Sequence, residues 1–218
     1  MKLVDIVMSQ VTRLSQATRP QGQPYRPHLV FAIADRYLFQ VKPETVADLE
    51  GLKLEFRHGL FHDQAIDSLE IYNDGIIVKS VSNTDLIDRF IDDLLTWLNR
   101  NYDYRFRETQ TVGTMYESHL IVEAERSVFQ PLELYTRVLR MIEEALEGSS
   151  NLSTKFETYG LILSADPTQI SSMKPIAFRL ERREGVEFSR QRYFSSAPLK
   201  TNQHMRILEQ MPLVSSQR

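Results

Sequence analysis

The run from Arg57 to Asp63 contains two histidines whose spacing comes closest to a metal-binding motif. On a helix, residues four apart share a face, so His58 and His62 could bind one metal ion there. Gly59 and the alternation of apolar and charged residues before it indicate a strand end or a turn instead, where the two imidazoles do not converge. Three further histidines are isolated in the sequence: His28, His119 and His204. We therefore expect exposed loop histidines, no metal site and no cofactor.

Three aspartates follow one another at helical spacing: Asp85, Asp88 and Asp92. Positions i, i+3 and i+7 lie on one helical face, and a row of carboxylates can hold a hard cation. The apolar residues between them mark the buried side of the helix, which favours a solvated acidic stripe. The stripe is also complementary in charge to the arginine-rich end of the chain, and such a contact would lie within one chain or between subunits.

Two segments interleave arginines with aromatic residues. The first comprises Arg100, Tyr102, Arg105 and Arg107, and the second comprises Arg179, Arg182, Arg183, Arg190, Arg192, Tyr193 and Phe194. Cations that follow phosphates and rings that stack on bases are typical of single-stranded nucleic-acid binding. Arginine and aromatic residues are also enriched in protein–protein interfaces. The net charge of −3 favours a protein partner over a nucleic acid.

Charge is unevenly distributed along the 218 residues. Residues 170–218 contain nine basic and four acidic residues, so this segment carries +5 and the first 169 residues carry −8. The C-terminal quarter is therefore the expected contact region for an acidic partner.

Several classes of protein are disfavoured by what the sequence lacks. Without cysteine there is no disulfide scaffold, zinc finger, iron–sulfur centre or thiol nucleophile. The eight glycines form neither a dinucleotide-binding fingerprint nor a phosphate-binding loop, and no nucleophile elbow is present. An enzyme would need a site assembled from residues distant in sequence. The first residues do not resemble a secretory signal, and no run of about 18 apolar residues is found, so we expect a cytoplasmic protein without a membrane partner.

Apolar periodicity predicts the elements that would position these residues. Residues Lys2 to Gln16 are expected to form an amphipathic helix, tethered by the proline-rich connector Thr18 to Pro27 and acting as a capping helix or an arm. A first strand is expected within His28 to Gln40, although a helix also fits its middle. Leu52 to Phe56 alternates as a strand, and Asn73-Asp74-Gly75 predicts a hairpin between Ser68–Tyr72 and Ile76–Ser80.

The second part of the chain is predicted in the same way. A helix is expected from about Ser82 to Asn99, and a strand from Met115 to Glu125. A second helix runs from about Pro131 to Glu147, with a buried face of Leu132, Tyr135, Val138, Leu139, Ile142 and Leu146. Strands follow at Thr158 to Ser164 and Pro175 to Arg183. After Gly185 the pattern dissolves, except for a short helix near Asn202 to Met211.

These elements predict an α+β protein with an antiparallel or mixed sheet and two main helices packed on one face, plus an N-terminal helix and an irregular C-terminal tail. We divide the chain into the helix and connector (1–27), an α+β core domain (28–185) and an arginine- and aromatic-rich extension (186–218). The sequence contains no internal repeat of useful strength.

The functional prediction is a non-enzymatic interaction or assembly subunit. It would bind protein, either itself or a heterologous partner, through its terminal arms and the arginine–aromatic surface paired with acidic stripes such as Asp85, Asp88 and Asp92. The first alternative is a single-stranded nucleic-acid-binding protein, and the second is an enzyme with a non-contiguous site.

Overall fold

The computed structural model describes residues 1–18, 26–72, 74–102, 105–129, 133–150, 155–169 and 174–214. It contains an eight-stranded antiparallel sheet with the order β2-β3-β4-β1-β5-β8-β7-β6. The strands are β1 (Lys2–Thr18), β2 (Lys53–Phe61), β3 (Gln64–Tyr72), β4 (Gly75–Ser80), β5 (Arg105–Glu123), β6 (Gly160–Leu163), β7 (Phe178–Arg182) and β8 (Arg192–Ala197). The helices are α1 (Arg26–Arg36), α2 (Val46–Glu50), α3 (Thr84–Tyr102), α4 (Glu133–Ser150) and α5 (Thr201–Val214). The protein is therefore α+β and rich in sheet.

The order of elements repeats once along the chain. Apart from the short α2, the first half runs β1-α1-β2-β3-β4-α3 and the second runs β5-α4-β6-β7-β8-α5. In each half the last strand pairs with the first, and β1 pairs antiparallel with β5 at the centre of the sheet. The topology thus has a two-fold relation between its halves. The order and pairing of the elements repeat, whereas the amino-acid sequence of the two halves does not, so the sequence alone did not indicate the repeat.

The predicted N-terminal helix is wrong, because Lys2–Thr18 forms the central strand β1. Its apolar residues are spaced by three, as at Leu3 and Ile6, because register shifts fall between Leu3 and Asp5 and between Ile6 and Met8. A bulge adds one residue to a strand, so two residues on the same face become three apart and imitate a helix. Both side chains pack against the core of the second half.

The predicted first strand is also wrong, because residues 26–36 form helix α1. Its aromatic and β-branched composition favoured a strand, but burial decides otherwise. Leu29, Val30, Ile33 and Ala34 are buried at helical spacing, while Phe31 is exposed. Packing of this face against α3 and the first half of the sheet overrides intrinsic propensity.

The C-terminal tail is not irregular, because it contains β8 and α5. Tyr193, Ser195 and Ala197 alternate on the buried face of β8. Because Ser195 is polar, the apolar alternation that predicts a strand is interrupted at this position. The short helix expected near Asn202 is confirmed as α5.

The other predicted elements are confirmed. β2, β6, β7, α3 and α4 lie close to where they were expected, and β3 and β4 form the hairpin with Ile71 opposite Ile76. The strand expected from Met115 is confirmed as the second part of β5, which begins at Arg105. Asn73 of that turn and Pro131 at the expected start of α4 lie outside the described residues. Helix α3 begins after Asn83, whose side-chain Oδ1 accepts a hydrogen bond from the Leu86 amide (2.9 Å).

The expectation that two main helices pack on one face is not confirmed. Helix α3 buries Leu86, Ile87, Phe90, Ile91, Leu94 and Leu98 in the core of the first half. For α4, none of the side chains that the structure describes is buried. The smaller core of the second half is formed by Leu120, Val122, Val128, Leu180, Tyr193 and Leu208.

Candidate functional site

A buried polar cluster lies where the two halves meet. Thr84 and Thr201 are the first residues of α3 and α5, and each backbone amide donates to the other residue's hydroxyl oxygen at 3.1 Å. The hydroxyl of Ser9, on β1, lies 3.4 Å from that of Thr201. The first turn of a helix leaves backbone amides without an intrahelical acceptor. Here each half of the protein supplies the hydroxyl acceptor for the first helical amide of the other half.

His204, one turn further along α5, is fully buried between two serines. The hydroxyl of Ser195 donates to the Arg179 carbonyl (2.6 Å), so its oxygen accepts from His204 Nε2 at 2.8 Å. Nδ1 then carries no proton and accepts from the Ser118 hydroxyl at 2.8 Å. Burial, together with the nearby His119, lowers the pKa of His204 to about 4, so the ring is neutral near pH 7.

A serine donating to a histidine is the geometry of an activated nucleophile. In this protein Ser118, Ser195 and His204 are all fully buried, and both ring nitrogens are occupied by hydroxyl groups. The arrangement therefore joins α5 to β5 and β8 rather than presenting a reactive group at the surface. Sequence reasoning treated His204 as isolated, because its partners lie far away in the chain.

The acidic stripe on α3 is paired within the chain. Asp88 accepts from Arg13 of β1 (3.1 Å) and from Lys200 (2.7 Å), and the Tyr116 hydroxyl lies 3.2 Å away. Arg13 also bonds Asp92 at 2.5 Å. The hydrogen bond with Asp88 raises the pKa of Lys200.

The three aspartates differ in exposure. Asp85 and Asp92 are more than half exposed, while Asp88 is 16% exposed. One cation of the basic C-terminal segment, Lys200, thus contacts the stripe within a single chain.

The second arginine–aromatic segment is divided between core and surface. Arg182 is buried, donates to Glu157 (2.6 Å) and to the carbonyls of Thr158 and Phe188, and lies 4.2 Å from the Phe188 ring centroid. Tyr193 is fully buried beside it. Phe194 is half-buried and packs edge-on against His119. Arg179 and Arg190 are exposed, and Arg183 and Arg192 are half-buried.

The first arginine–aromatic segment lies where β5 begins. Arg100 is exposed, and Tyr102 packs on Trp97 with ring centroids 5.3 Å apart. Arg105 lies in a part of β5 that pairs with the end of β1, beyond the last residue of β1 that pairs with β4. The side chains of Arg105 and Arg107 lie outside the described part of the structure.

The two histidines at the end of β2 are exposed and separate. His58 lies within β2 with φ of 57°, and His62 lies in the tight turn to β3 with φ of 47°. Gly59 is required by close packing, because a Cβ there would lie 2.5 Å from the Phe39 ring. Within the described ranges, no group of three or more histidines, aspartates or glutamates could hold a metal ion.

Two cavities that are lined by described residues lie beside the sheet. One, of about 140 Å³, is lined by Gln10, Thr12, Thr114, Met115, Tyr116, Glu117, Pro175, Ile176 and Pro198. The other, of about 680 Å³, is an open depression lined by Ile6, His62, Gln64, Val81, Ser82, Asn83, Leu86 and Arg89. Neither of these two combines a histidine with carboxylates, the arrangement that an acid–base site would need.

The second half exposes a contiguous set of apolar side chains on α4, which we call the α4 face. Val138, Met141 and Ile142 are 45%, 60% and 38% exposed, and Leu139 and Leu146 beside them are half-buried. The sequence predicted Val138, Leu139, Ile142 and Leu146 as a buried face, together with Leu132 and Tyr135, whose side chains lie outside the described part of the structure. Its topological equivalent in the first half, α1, is buried against α3 and the sheet. The described side chains of α4 are not covered to the same extent.

The edge strand β6 is a second element of this half with exposed apolar side chains. It is the last strand of the sheet and pairs with β7. Ile162 and Leu163 are more than half exposed, and the neighbouring Tyr159 is 49% exposed. Exposed apolar groups that lie together, rather than singly, mark contact surfaces.

The α4 face and β6 are the candidate functional site. None of the helices in the described ranges combines the length and apolar character that crossing a membrane requires. Comparison of the chain with protein-family models and with curated protein sequences gives no match.

Proposed function

We propose that this chain acts as a non-enzymatic protein–protein interaction or assembly subunit, with the α4 face as its contact surface. One observation carries the proposal: α4 has a full apolar stripe, yet Val138, Met141 and Ile142 remain exposed. An amphipathic helix gains most of its stability by burying its apolar side. A partner that covers this side would supply the missing burial.

The proposed contact surface differs from the arms expected from the sequence. Lys2–Thr18 lies in the middle of the sheet, and Arg182 and Tyr193 are part of the core. The exposed arginines Arg179 and Arg190 remain available for a charged rim, where salt-dependent steering of a partner is expected.

Site-specific photo-crosslinking in the native cells tests this proposal. A photoreactive residue at position 141 should yield a covalent protein adduct of defined mass, because Met141 is 60% exposed on the α4 face. The same residue at position 207, on the exposed side of α5, is the matched control. Equal labelling at both positions, or no protein adduct at position 141, would contradict the proposal.

Nucleic-acid binding remains the second candidate, favoured by one observation. β1 and β5 continue as a two-stranded ribbon beyond Gly75, the first residue of β4, and this ribbon includes Arg105 and Phe106. If Arg105 and Arg107 contact phosphates, affinity for a fluorescent single-stranded oligonucleotide falls steeply as salt rises, and R105A/R107A reduces the slope. Binding that is absent at low salt would reject this candidate.

A further inference from the structure

The two edges of the sheet differ in their protection against further strand pairing. Edge strand β2 carries the charged residues Lys53, Glu55 and Arg57. Its edge is also covered, because the amides and carbonyls of Val41 and Arg57 bond each other at 2.9 and 3.2 Å. Charges and covering segments are the devices that block edge-to-edge association. In contrast, residues 158–165, which include all of β6, contain no charged residue and no proline.

The open edge of β6 presents backbone groups that a new strand could bond. The Arg182 amide donates to the Tyr159 carbonyl at 2.8 Å. Bonded and non-bonded positions alternate along an antiparallel strand, so Leu161 is also directed toward β7. Gly160 and Ile162 therefore direct their backbone N–H and C=O groups toward the open side. An extended chain aligned there would satisfy them.

Helix α4 has a charge pattern that suits an antiparallel copy of itself. From residue 136 to residue 147, its first part carries Arg137 and Arg140 and its second part carries Glu143, Glu144 and Glu147. Antiparallel packing of two such helices places the arginines of one beside the glutamates of the other, whereas parallel packing brings like charges together. Leu139, Ile142 and Leu146 follow the alternating three- and four-residue spacing of a helix–helix seam.

A direct contact connects α4 with the segment that leads into β6. The Phe156 amide donates to the Glu143 carboxylate at 2.7 Å, and Phe156 precedes β6 by four residues. The segment that leads into β6 therefore lies beside α4.

We propose that a second copy of this chain covers this region, with β6 paired antiparallel with its copy and α4 packed antiparallel against its copy. A single two-fold axis generates both pairings, since an isologous contact brings the same element of each subunit together in opposite directions. This inference rests on the proposed interaction function and names its partner.

Light scattering after size exclusion on the full chain tests the inference. The molar mass measured for the wild-type peak should be twice the 25.4 kDa of one chain. Ile142→Glu and Ile162→Lys should each weaken the dimer by about tenfold or more, because each places a charge in the apolar contact. The matched controls are Ile207→Glu, on a helix residue 42% exposed, and Leu60→Lys, on the opposite sheet edge at 43%. Both controls should remain dimeric.

A second measurement does not depend on disruptive variants. Since the chain has no cysteine, single cysteines can be introduced one at a time at Leu161, Ile162 and Leu163. Mild oxidation should link two chains from at least one of these positions. Cysteines at Leu52 and Leu60, near the covered edge, should give no linked chains. Circular dichroism verifies that each variant is folded.

The outcomes separate this inference from the proposed function. A monomeric wild type, or a dimer that folded Ile142→Glu and Ile162→Lys leave unchanged, overturns pairing with a second copy. If the wild type is monomeric but crosslinking from position 141 gives an adduct with a different protein, the interaction function stands and only the identity of the partner is wrong. If no adduct forms either, both proposals fail.

Discussion

The imidazole of His204 is a base that the fold keeps uncharged. Its two ring nitrogens hold Ser118 and Ser195 in place, and a proton on Nδ1 would remove the acceptor that the Ser118 hydroxyl needs. A buried charge with no carboxylate partner is costly. Protonation therefore opposes the folded state.

The stability of the protein should decrease as the pH falls through this range. The folded pKa of His204 is about 4, against roughly 6.5 in an unfolded chain. Between these two pKa values the unfolded state binds a proton that the folded state does not. The stability that neutral His204 contributes is therefore fully present above the unfolded pKa and is lost as the pH falls toward the folded pKa. The loss for this group between pH 7 and pH 5 is about 2 kcal/mol.

Urea unfolding of wild type and His204→Gln at the two pH values measures this effect. The variant should start less stable but lose less free energy of unfolding between pH 7 and pH 5, because its amide does not titrate. Identical pH slopes for the two proteins would show that His204 does not account for the decrease.

At the scale of elements, Asp88 ties α3 to β1 and to Lys200, the residue that precedes α5. This carboxylate is largely shielded and bonds both Arg13 and Lys200, whereas Asp92 is 65% exposed and bonds Arg13 alone in the described residues. Removing one partner from a shielded ion cluster leaves the others without compensation, while exposed pairs contribute little.

Asp88→Asn should therefore lower the free energy of unfolding by about 1–3 kcal/mol. Asp92→Asn, the control on the same helix face, should cost less than about 1 kcal/mol. Chemical denaturation at constant pH gives both values. A larger effect at Asp92 than at Asp88 would contradict the assignment of Asp88 as the centre of this cluster.

The sequence allows prediction of an element when its pattern is local. The β3–β4 hairpin and α3 follow from a turn signal and from apolar residues at regular spacing. β1 could not be recognised in this way, because its bulges depend on pairing with β5, which is distant in the sequence. β8 was concealed by Ser195, whose burial is explained only by hydrogen bonds to Arg179 and His204.

For the candidate site, too, only the local properties can be predicted from the sequence. The amphipathic character of α4 can be predicted from Val138, Leu139, Ile142 and Leu146, but the exposure of that face depends on what packs against it. The position of β6 at the sheet edge likewise requires the order of all eight strands. Neither property belongs to the residues alone.

At the scale of the whole molecule, the two halves depend on each other. β1 and β5 are hydrogen-bonded along most of their length, and Thr84 and Thr201 cap each other's helices. A half that unfolds alone would leave unpaired backbone and buried amides in the other.

We therefore expect both halves to unfold in one transition. Trp97 lies in α3, so its fluorescence reports on the first half, while far-ultraviolet circular dichroism reports on both. The two urea curves should coincide. A fluorescence midpoint clearly separated from that of circular dichroism would show that the halves unfold independently.

If β6 pairs with its copy as proposed, the bridge between Val41 and Arg57 limits the size of the assembly. In this sheet the β2 edge is covered and only the β6 edge can pair with another strand. When the β6 edges of two chains pair with each other, neither chain has a further edge for strand addition. Growth stops at a closed pair, whereas a sheet with two bare ends would polymerise into fibres. The residues around Val41 that cover the β2 edge would thus prevent growth beyond a dimer.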